Sequence, residues 1–381
     1  MNSKKKIIFC LPSAMVGGIE NHLARQLRLF DPKRYEIAIV LLFTRSSIAL
    51  EDIVPSYVRV YKFNFKHIYD IASIRKLWRL LRERSPDIVV TSAFDANALF
   101  RILQPFFGYV TIPRLHNLYP DQPFHLRIVD AVLALCTPTV VAVSQGVADY
   151  ASKRTWIPRK KFTVIPNGID LVETEQFRKE HSDVVALKKE LGFGVNQRIV
   201  LNVSRLKPQK NLLLAIEAFA KFKKDVEGCE YTFVIVGEGG QREQLELRAN
   251  ELGVADSVVF TGLRRDTFKF YMIADMFLMT SIREGFPNVL LESMAFGVPF
   301  ISTRVPGATE AIVDGVNGYL ADSTPEGLSE KMVLLSSELK EHQERYSADC
   351  LRVAREYSME VNVKRYEGVF SRILGKHGTF Y

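Results

Sequence analysis

Short apolar, β-branched runs alternate with stretches of helical spacing along almost the whole chain, the pattern of βαβ units feeding parallel sheets. A first series predicts strands at 7–11, 37–43, 88–91, 110–113, 140–143 and 163–165. A second predicts strands at 199–203, 231–236, 258–261, 276–280 and 300–303. Between them, Leu23, Leu27 and Phe30 share helical spacing. So do Ile74, Leu77, Trp78 and Leu81, with Arg75, Lys76, Arg79 and Arg82 on other faces. A last stripe, Val363, Tyr366, Phe370 and Ile373, fits a helix that packs on either half. Ile165-Pro166-Asn167-Gly168-Ile169-Asp170 gathers turn formers between the two series and leads into a polar run, 173–183, that reads as a hinge. The expected fold class is α/β, with two doubly wound halves divided after Gly168.

Length agrees with that division, since 381 residues exceed what one hydrophobic core usually serves. The longest nearly uncharged apolar stretch, 131–143, is too short to span a bilayer. Lys4, Lys5 and Lys6 precede only a five-residue apolar run, so the start of the chain reads as a first strand rather than a signal peptide. Cys10, Cys136, Cys229 and Cys350 are far apart and fit reduced cytosolic thiols better than a zinc site or a disulfide framework. The net charge of +8 is uneven. Residues 1–168 hold 24 Lys and Arg against 12 Asp and Glu, whereas the remainder holds 27 against 31. One half therefore suits an anionic partner.

Three strand-to-helix turns carry the candidate chemistry. Gly17-Gly18 follows the first strand, where glycines let a backbone approach a ligand and helix amides attract anions. Arg205 and Lys210 flank the turn after the strand at 199–203, placed to neutralise a diphosphate leaving group. In Arg283-Glu284-Gly285-Phe286-Pro287-Asn288-Val289-Leu290-Leu291-Glu292, Pro287 and Asn288 start a helix whose first amides face an anion. Glu284 and Glu292 suit acceptance of hydrogen bonds from sugar and ribose hydroxyls.

Taken together, the Glu284 and Glu292 spacing, Ser204-Arg205-Leu206 with Lys210-Asn211, the 165–170 turn and the Gly17-Gly18 loop resemble the retaining glycosyltransferases of family 4, which have the GT-B fold. The resemblance implies that Arg205 and Lys210 bind the donor diphosphate, Glu284 the transferred sugar and Glu292 the ribose. It places the amides of 286–289 near the phosphate or sugar, and Gly237, Glu238, Gly239 and Arg264 near the nucleotide. It also implies a final helix, about 361–381, that returns to the first domain (1–168), leaving 169–360 as the donor domain. Arg114-Leu115-His116-Asn117 resembles the family's histidine-bearing segment, so that His116 would hydrogen-bond donor sugar or acceptor. The catalytic candidates are thus His116, Glu284, Arg205 and Lys210. The stretch Val305-Pro306-Gly307-Ala308-Thr309-Glu310 departs from the family's glycine-rich pattern, and Glu310 stays out of the site.

No two aspartates stand two positions apart, so the D-x-D pattern that binds a metal-diphosphate is missing from the sequence. The expectation is retaining transfer with no cofactor and no essential metal, the donor being a nucleotide-diphospho-sugar and the acceptor a glycan or lipid-linked hydroxyl. A nucleotide-sugar epimerase, a sugar phosphorylase and a non-catalytic nucleotide-sugar-binding protein are the alternatives. Nucleic acid is not expected as a partner, because no readout motif accompanies the basic first half. The expected location is the cytoplasm, peripheral on the inner membrane face. Lys62, Lys66, Arg75, Lys76, Arg79, Arg82 and Arg84, interleaved with Phe63, Phe65, Tyr69 and Trp78, are the candidate for docking on an anionic membrane.

Overall fold

The computed structural model describes residues 4–12, 18–43, 50–226 and 230–377. They form two compact units, one of Met1–Gly168 with Met359–Tyr381 and the other of Ile169–Ser358. The first holds a seven-stranded sheet: β1 Lys5–Leu11, β2 Tyr35–Leu41, β3 Arg59–Lys62, β4 Ile88–Ser92, β5 Val110–Leu115, β6 Val140–Ala142 and β7 Phe162–Val164. Its order is β3-β2-β1-β4-β5-β6-β7. The second holds β8 Arg198–Val203, β9 Tyr231–Val236, β10 Val258–Gly262, β11 Met276–Met279, β12 Phe300–Thr303 and β13 Gly318–Ala321, in the order β10-β9-β8-β11-β12-β13. The strands pair in parallel, for example Ile7 beside both Ile37 and Ile88.

Parallel strands covered on both faces need apolar residues at every position, and β1 shows why its run is unbroken. Ile7, Phe9 and Leu11 point into a cluster with Leu27, Phe30 and Tyr35. Ile8 and Cys10 point the other way, onto Leu77, Leu81 and Phe100. Two strands lie outside the sequence expectation. Arg-Val-Tyr-Lys of β3 is an edge strand with no buried residue, and Gly-Tyr-Leu-Ala of β13 lacks β-branching, so neither carries a strong strand signal.

Most of the polar run at 173–183 is the interior of an element rather than a connection. Leu171–Glu180 is a helix, begun by Asp170, whose carboxylate accepts the Glu173 amide at 3.0 Å. It is anchored by buried Thr174 and by Phe177, whose ring meets those of Phe268 and Phe296. With Val172 exposed, Leu171 and Phe177 are the apolar residues left to pack, too few to register as a stripe.

The helix Met359–His377 belongs to the first unit, with Val363, Tyr366, Phe370 and Ile373 in the core beside β1 and β2. The chain leaves that unit at Gly168, where a Cβ would stand 2.8 Å from the Met359 Cα. Buried side chains fix the crossing. Asn362 donates to the Pro166 carbonyl at 2.5 Å and accepts from Gln26 at 2.7 Å.

In the segment proposed for a membrane, Leu77 and Leu81 are buried, while Phe63, Ile74 and Trp78 pack against the same core and Phe65 is part of it. The aromatics other than Tyr69 therefore face inward, leaving the arginines as a solvated helix face.

Candidate donor site and histidine site

In the second unit the chain runs β8 to β10 toward one edge of the sheet, then starts again at β11 and runs to the other edge. β8 and β11 are neighbours, so their carboxyl ends bound the crevice where the strand order reverses and where open α/β sheets bind ligands. The loops after these two strands carry most of the residues singled out above.

Those loops are laced together. The Ile282 amide donates to the Gln209 carbonyl at 2.9 Å, and the Gln209 side chain donates to the Arg283 carbonyl at 2.8 Å. The Thr280 hydroxyl donates to the carbonyls of Lys210 and Asn211. Asn211 adopts φ +49, a left-handed conformation that Asn tolerates and that ends the loop at the start of the helix Leu212–Asp225. Within this frame the Lys210 ammonium and a Glu284 carboxylate oxygen lie 2.5 Å apart, both partly buried. Arg205, on the same loop, is exposed, and its guanidinium makes no hydrogen bond or ion pair among the described residues. One cation is held and one stands open.

Gly285 and Phe286 are buried beneath the next loop, where Gly307 adopts φ +77 and a Cβ would come within 2.6 Å of the Phe286 Cα. The chain then enters the helix Asn288–Ala295, capped by Pro287, with Asn288 and Val289 as its first residues. The helix dipole gives this end a partial positive charge that favours an anion. Inside the helix Glu292 accepts a 2.8 Å hydrogen bond from Tyr271, whose phenol is fully buried. Burial first, and the Glu292 charge second, push the Tyr271 pKa well above that of a free phenol, keeping it a donor.

The remaining donor-site candidates flank this crevice. Gly237, after β9, has φ +141 and lies against the Ser204 carbonyl so closely that a Cβ would overlap it. Gly239 lies in the same way against Leu206, and the Leu206 amide donates to the Glu238 carbonyl at 2.9 Å. The Glu238 side chain pairs with Arg242 at 2.7 Å, and Arg264 makes a two-pronged pair with Asp266 over the Phe270 ring. Both are therefore engaged with neighbours. Gly17 lies outside the described residues. Gly18 is the first residue of the helix Gly18–Arg28, and its surroundings are likewise not described.

The first unit carries its own polar centre. His116 follows β5, and its Nε2 lies 3.0 Å from the Ser92 hydroxyl at the end of β4. His22 is buried and accepts the Gly168 amide at 2.9 Å through its Nε2, which leaves the proton on Nδ1. Between them in sequence, Arg114 is buried at 3% exposure, donates to Asn167 at 3.2 Å and lies over the Tyr366 ring. Burial lowers both histidine pKa values well below the usual range, and the Arg114 charge adds to it. Both imidazoles stay neutral at physiological pH, so His116 can accept or donate one hydrogen bond at its free nitrogen.

Sequence reasoning did not single out Gln209, Tyr271, Thr280, Gly307, Ser92 or His22 as parts of these centres. Tyr271 sits in the apolar run Phe270-Tyr271-Met272-Ile273, where nothing separates it from core residues. Gly307 alone had a signal, a glycine just before a helix.

Comparison with known proteins places this architecture. Residues 183–349 match the family model described as glycosyl transferases group 1, and residues 16–173 match that of glycosyltransferase family 4. The chain belongs to these glycosyltransferases. It is 24% identical to the UDP-Gal:alpha-D-GlcNAc-diphosphoundecaprenol alpha-1,3-galactosyltransferase of Escherichia coli over 84% of this chain and 85% of that protein. It is 29% identical to the lipopolysaccharide core biosynthesis glycosyltransferase LpsE of Rhizobium meliloti over 65% of this chain and 64% of that protein. The crystal structure of Anabaena HepE in complex with UDP superposes with a TM-score of 0.82 at 21% identity, covering 97% of this chain and all of that one, and likeness at that identity concerns the fold. The fold is GT-B.

Proposed function

We propose that the protein moves a sugar from a nucleotide-diphospho-sugar to a hydroxyl of a lipid-linked or glycan acceptor, with retained anomeric configuration and without an essential metal. Assembly of a bacterial surface polysaccharide or glycolipid at the cytoplasmic membrane face is the setting. The carrying observation is the Lys210 and Glu284 pair, 2.5 Å apart at the point where the strand order reverses. An ammonium has three donors, so Lys210 can hold Glu284 and a phosphate oxygen together. Arg205 and the first amides of the helix Asn288–Ala295 complete the cationic side, and charge developing on the leaving diphosphate meets donors already in place. Glu284 accepts hydrogen bonds from the transferred sugar. Glu292, oriented by Tyr271, accepts them from the ribose.

In this reading the acceptor oxygen attacks the anomeric carbon from the face the phosphate is leaving. The bond from that carbon to the diphosphate oxygen breaks as the new one forms, and a departing phosphate oxygen takes the acceptor proton. His116, kept neutral, orients sugar or acceptor hydroxyls without adding a competing charge. The names of the relatives support the substrate classes: the E. coli protein is named for UDP-galactose and a diphosphoundecaprenol acceptor, and the Anabaena structure contains UDP.

The test is a thermal-shift panel of UDP-, GDP- and ADP-sugars, followed by turnover with donor alone and donor plus a lipid-linked acceptor. One donor should raise the melting temperature, and sugar should appear on the acceptor only when both are present. Epimerised donor without acceptor, a requirement for inorganic phosphate, or binding without a single turnover would overturn the transferase reading.

A further inference from the structure

The helix Phe124–Leu133 inverts the usual design of a surface helix. None of its ten residues is buried. Phe124, Ile128 and Val132 stand four apart, and Leu135 follows in the short helical turn Ala134–Cys136, so the four share one stripe. All are exposed, Leu135 at 79%. Trp156 extends the stripe. It is exposed, held at φ +56, and meets Phe124 edge-on with ring centroids 5.8 Å apart.

Polar contacts, not apolar burial, hold this helix to its unit. Arg101, buried on the neighbouring helix Phe94–Phe107, pairs with Asp130. Gln122 donates to the other Asp130 oxygen at 3.0 Å, and Arg127 donates to the Gln122 carbonyl at 3.1 Å. The helix thus turns Asp130 to the protein, with Leu126, Ala131 and Leu133 half-buried, and leaves Phe124, Ile128, Val129 and Val132 on the outside. A contiguous apolar stripe of this kind on a folded unit marks an interaction surface.

Its rim is cationic. The Lys161 ammonium donates to the carbonyls of Ala134 and Thr137, at the end of the stripe where Leu135 projects. Lys153 and Lys160 are exposed on either side of Trp156 in sequence. The nearby carboxylates are occupied, Asp130 by Arg101 and Asp149 by Arg159.

We propose that this stripe seats the first unit in the interface of an anionic bilayer, with Phe124, Ile128, Val132, Leu135 and Trp156 entering the acyl boundary and the lysines meeting lipid phosphates. The inference rests on the lipid-linked-acceptor reading and moves the docking face away from 61–84, whose aromatics other than Tyr69 pack inward. Apolar insertion with cations at the level of the headgroups is how interfacial helices bind. A second copy fits less well, because a two-fold contact centred on the stripe would bring two sets of these cations together.

The full-length protein is tested by co-sedimentation with phosphatidylcholine vesicles containing or lacking phosphatidylglycerol. The wild type should bind the anionic vesicles. The triple variant Ile128→Ser, Val132→Ser, Leu135→Ser should bind at least about tenfold more weakly, since the apolar contribution scales with inserted area. It should still transfer sugar to a water-soluble acceptor analogue at the wild-type rate, which shows that it is folded. Lys153→Glu with Lys160→Glu should remove the preference for anionic lipid. Wild-type binding by the triple variant, or no binding by the wild type, would overturn the surface. So would a wild-type dimer in sedimentation velocity that the triple variant turns into a monomer. Vesicle binding through the stripe without glycosylation of a lipid-linked acceptor in detergent sinks the acceptor reading instead, and the reverse result sinks only the stripe.

Discussion

The second unit builds its centre from two loops that follow neighbouring strands, whereas the first unit draws its centre from five stretches of chain. Lys210 and Glu284 meet because β8 and β11 are adjacent and four loop-to-loop hydrogen bonds fix the ends. His116 owes its environment to Ser92, Arg114, His22 and the 167–168 turn, and that turn is secured by Asn362 from the far end of the sequence. The first arrangement places opposite charges in contact and suits a ligand that brings charge. The second keeps imidazoles neutral beside a buried guanidinium, and suits hydroxyl groups. A charged centre and a neutral one should respond differently to mutation, and this ordering can be tested.

Lys210→Ala carries the largest expected effect. It removes phosphate neutralisation and leaves the Glu284 carboxylate partly buried without its cation, so kcat/KM for the donor should fall by about 10² to 10³. A loss under tenfold, with the circular dichroism spectrum unchanged, would place the leaving-group cation elsewhere. His116→Ala comes next, lowering kcat by about 10² with donor KM little changed, because a neutral imidazole adds little ground-state affinity. Ser92→Ala should give a smaller loss in the same parameter. A rise in donor KM alone would make His116 part of donor binding and remove the contrast.

Tyr271→Phe probes the interior of the donor unit. It deletes one hydrogen bond to the Glu292 carboxylate, and donor affinity should weaken by about tenfold, ~1.4 kcal/mol, with kcat largely kept. An equal loss in Glu292→Ala and in the double variant would confirm that Tyr271 acts through Glu292.

The neutral centre predicts a pH effect of definite sign. His22 and His116 have folded-state pKa values depressed by burial and by Arg114, while in the unfolded chain they titrate near the ordinary value of about 6.5. The unfolded state therefore binds protons first, and stability should be full above about pH 6.5 and decline as pH falls through that value. His22→Gln, which can still accept the Gly168 amide, should flatten that decline in melting curves. An unchanged slope would mean that His22 is not the coupled group.

The contrast between the two units also explains what could be read in advance. Arg205, Lys210, Glu284 and Glu292 lie within two short loop-to-helix segments whose spacing is local, so the pattern was visible in one dimension. Strands β8 and β11 were visible for the same reason, β11 as an unbroken apolar run and β8 as one interrupted only by Asn202 after Arg198. Tyr271 looked like core because, apart from one hydroxyl, it is core. His22 reads as one polar residue among several on an amphipathic helix until the fold brings Gly168 to it from 146 residues away. The exposed stripe from Phe124 to Leu135 carried the same apolar spacing that a buried helix would. Periodicity reports which residues share a face, and only packing decides whether that face is covered.

Chelation should have the smallest effect of all. A diphosphate leaving group needs positive charge as its bond to the sugar breaks, and transferases with paired aspartates recruit a metal for it. Here Arg205 and Lys210 bring two full charges on one loop, and the helix Asn288–Ala295 adds its N-terminal partial charge of about half a unit. Lys210 is held by Glu284 and the helix backbone is in place before the donor arrives, so little reorganisation of these groups accompanies bond breaking. Turnover in EDTA should stay within about twofold of the untreated rate, and added magnesium should stimulate modestly by screening. The sharper form of the test uses Arg205→Ala. With one charge removed and Lys210 shared with Glu284, the deficit becomes one that a divalent cation can fill, and magnesium should restore part of the lost rate. Complete loss of wild-type activity in EDTA, regained with magnesium or manganese, would assign the leaving-group charge to a metal and reverse the order of effects argued for this unit.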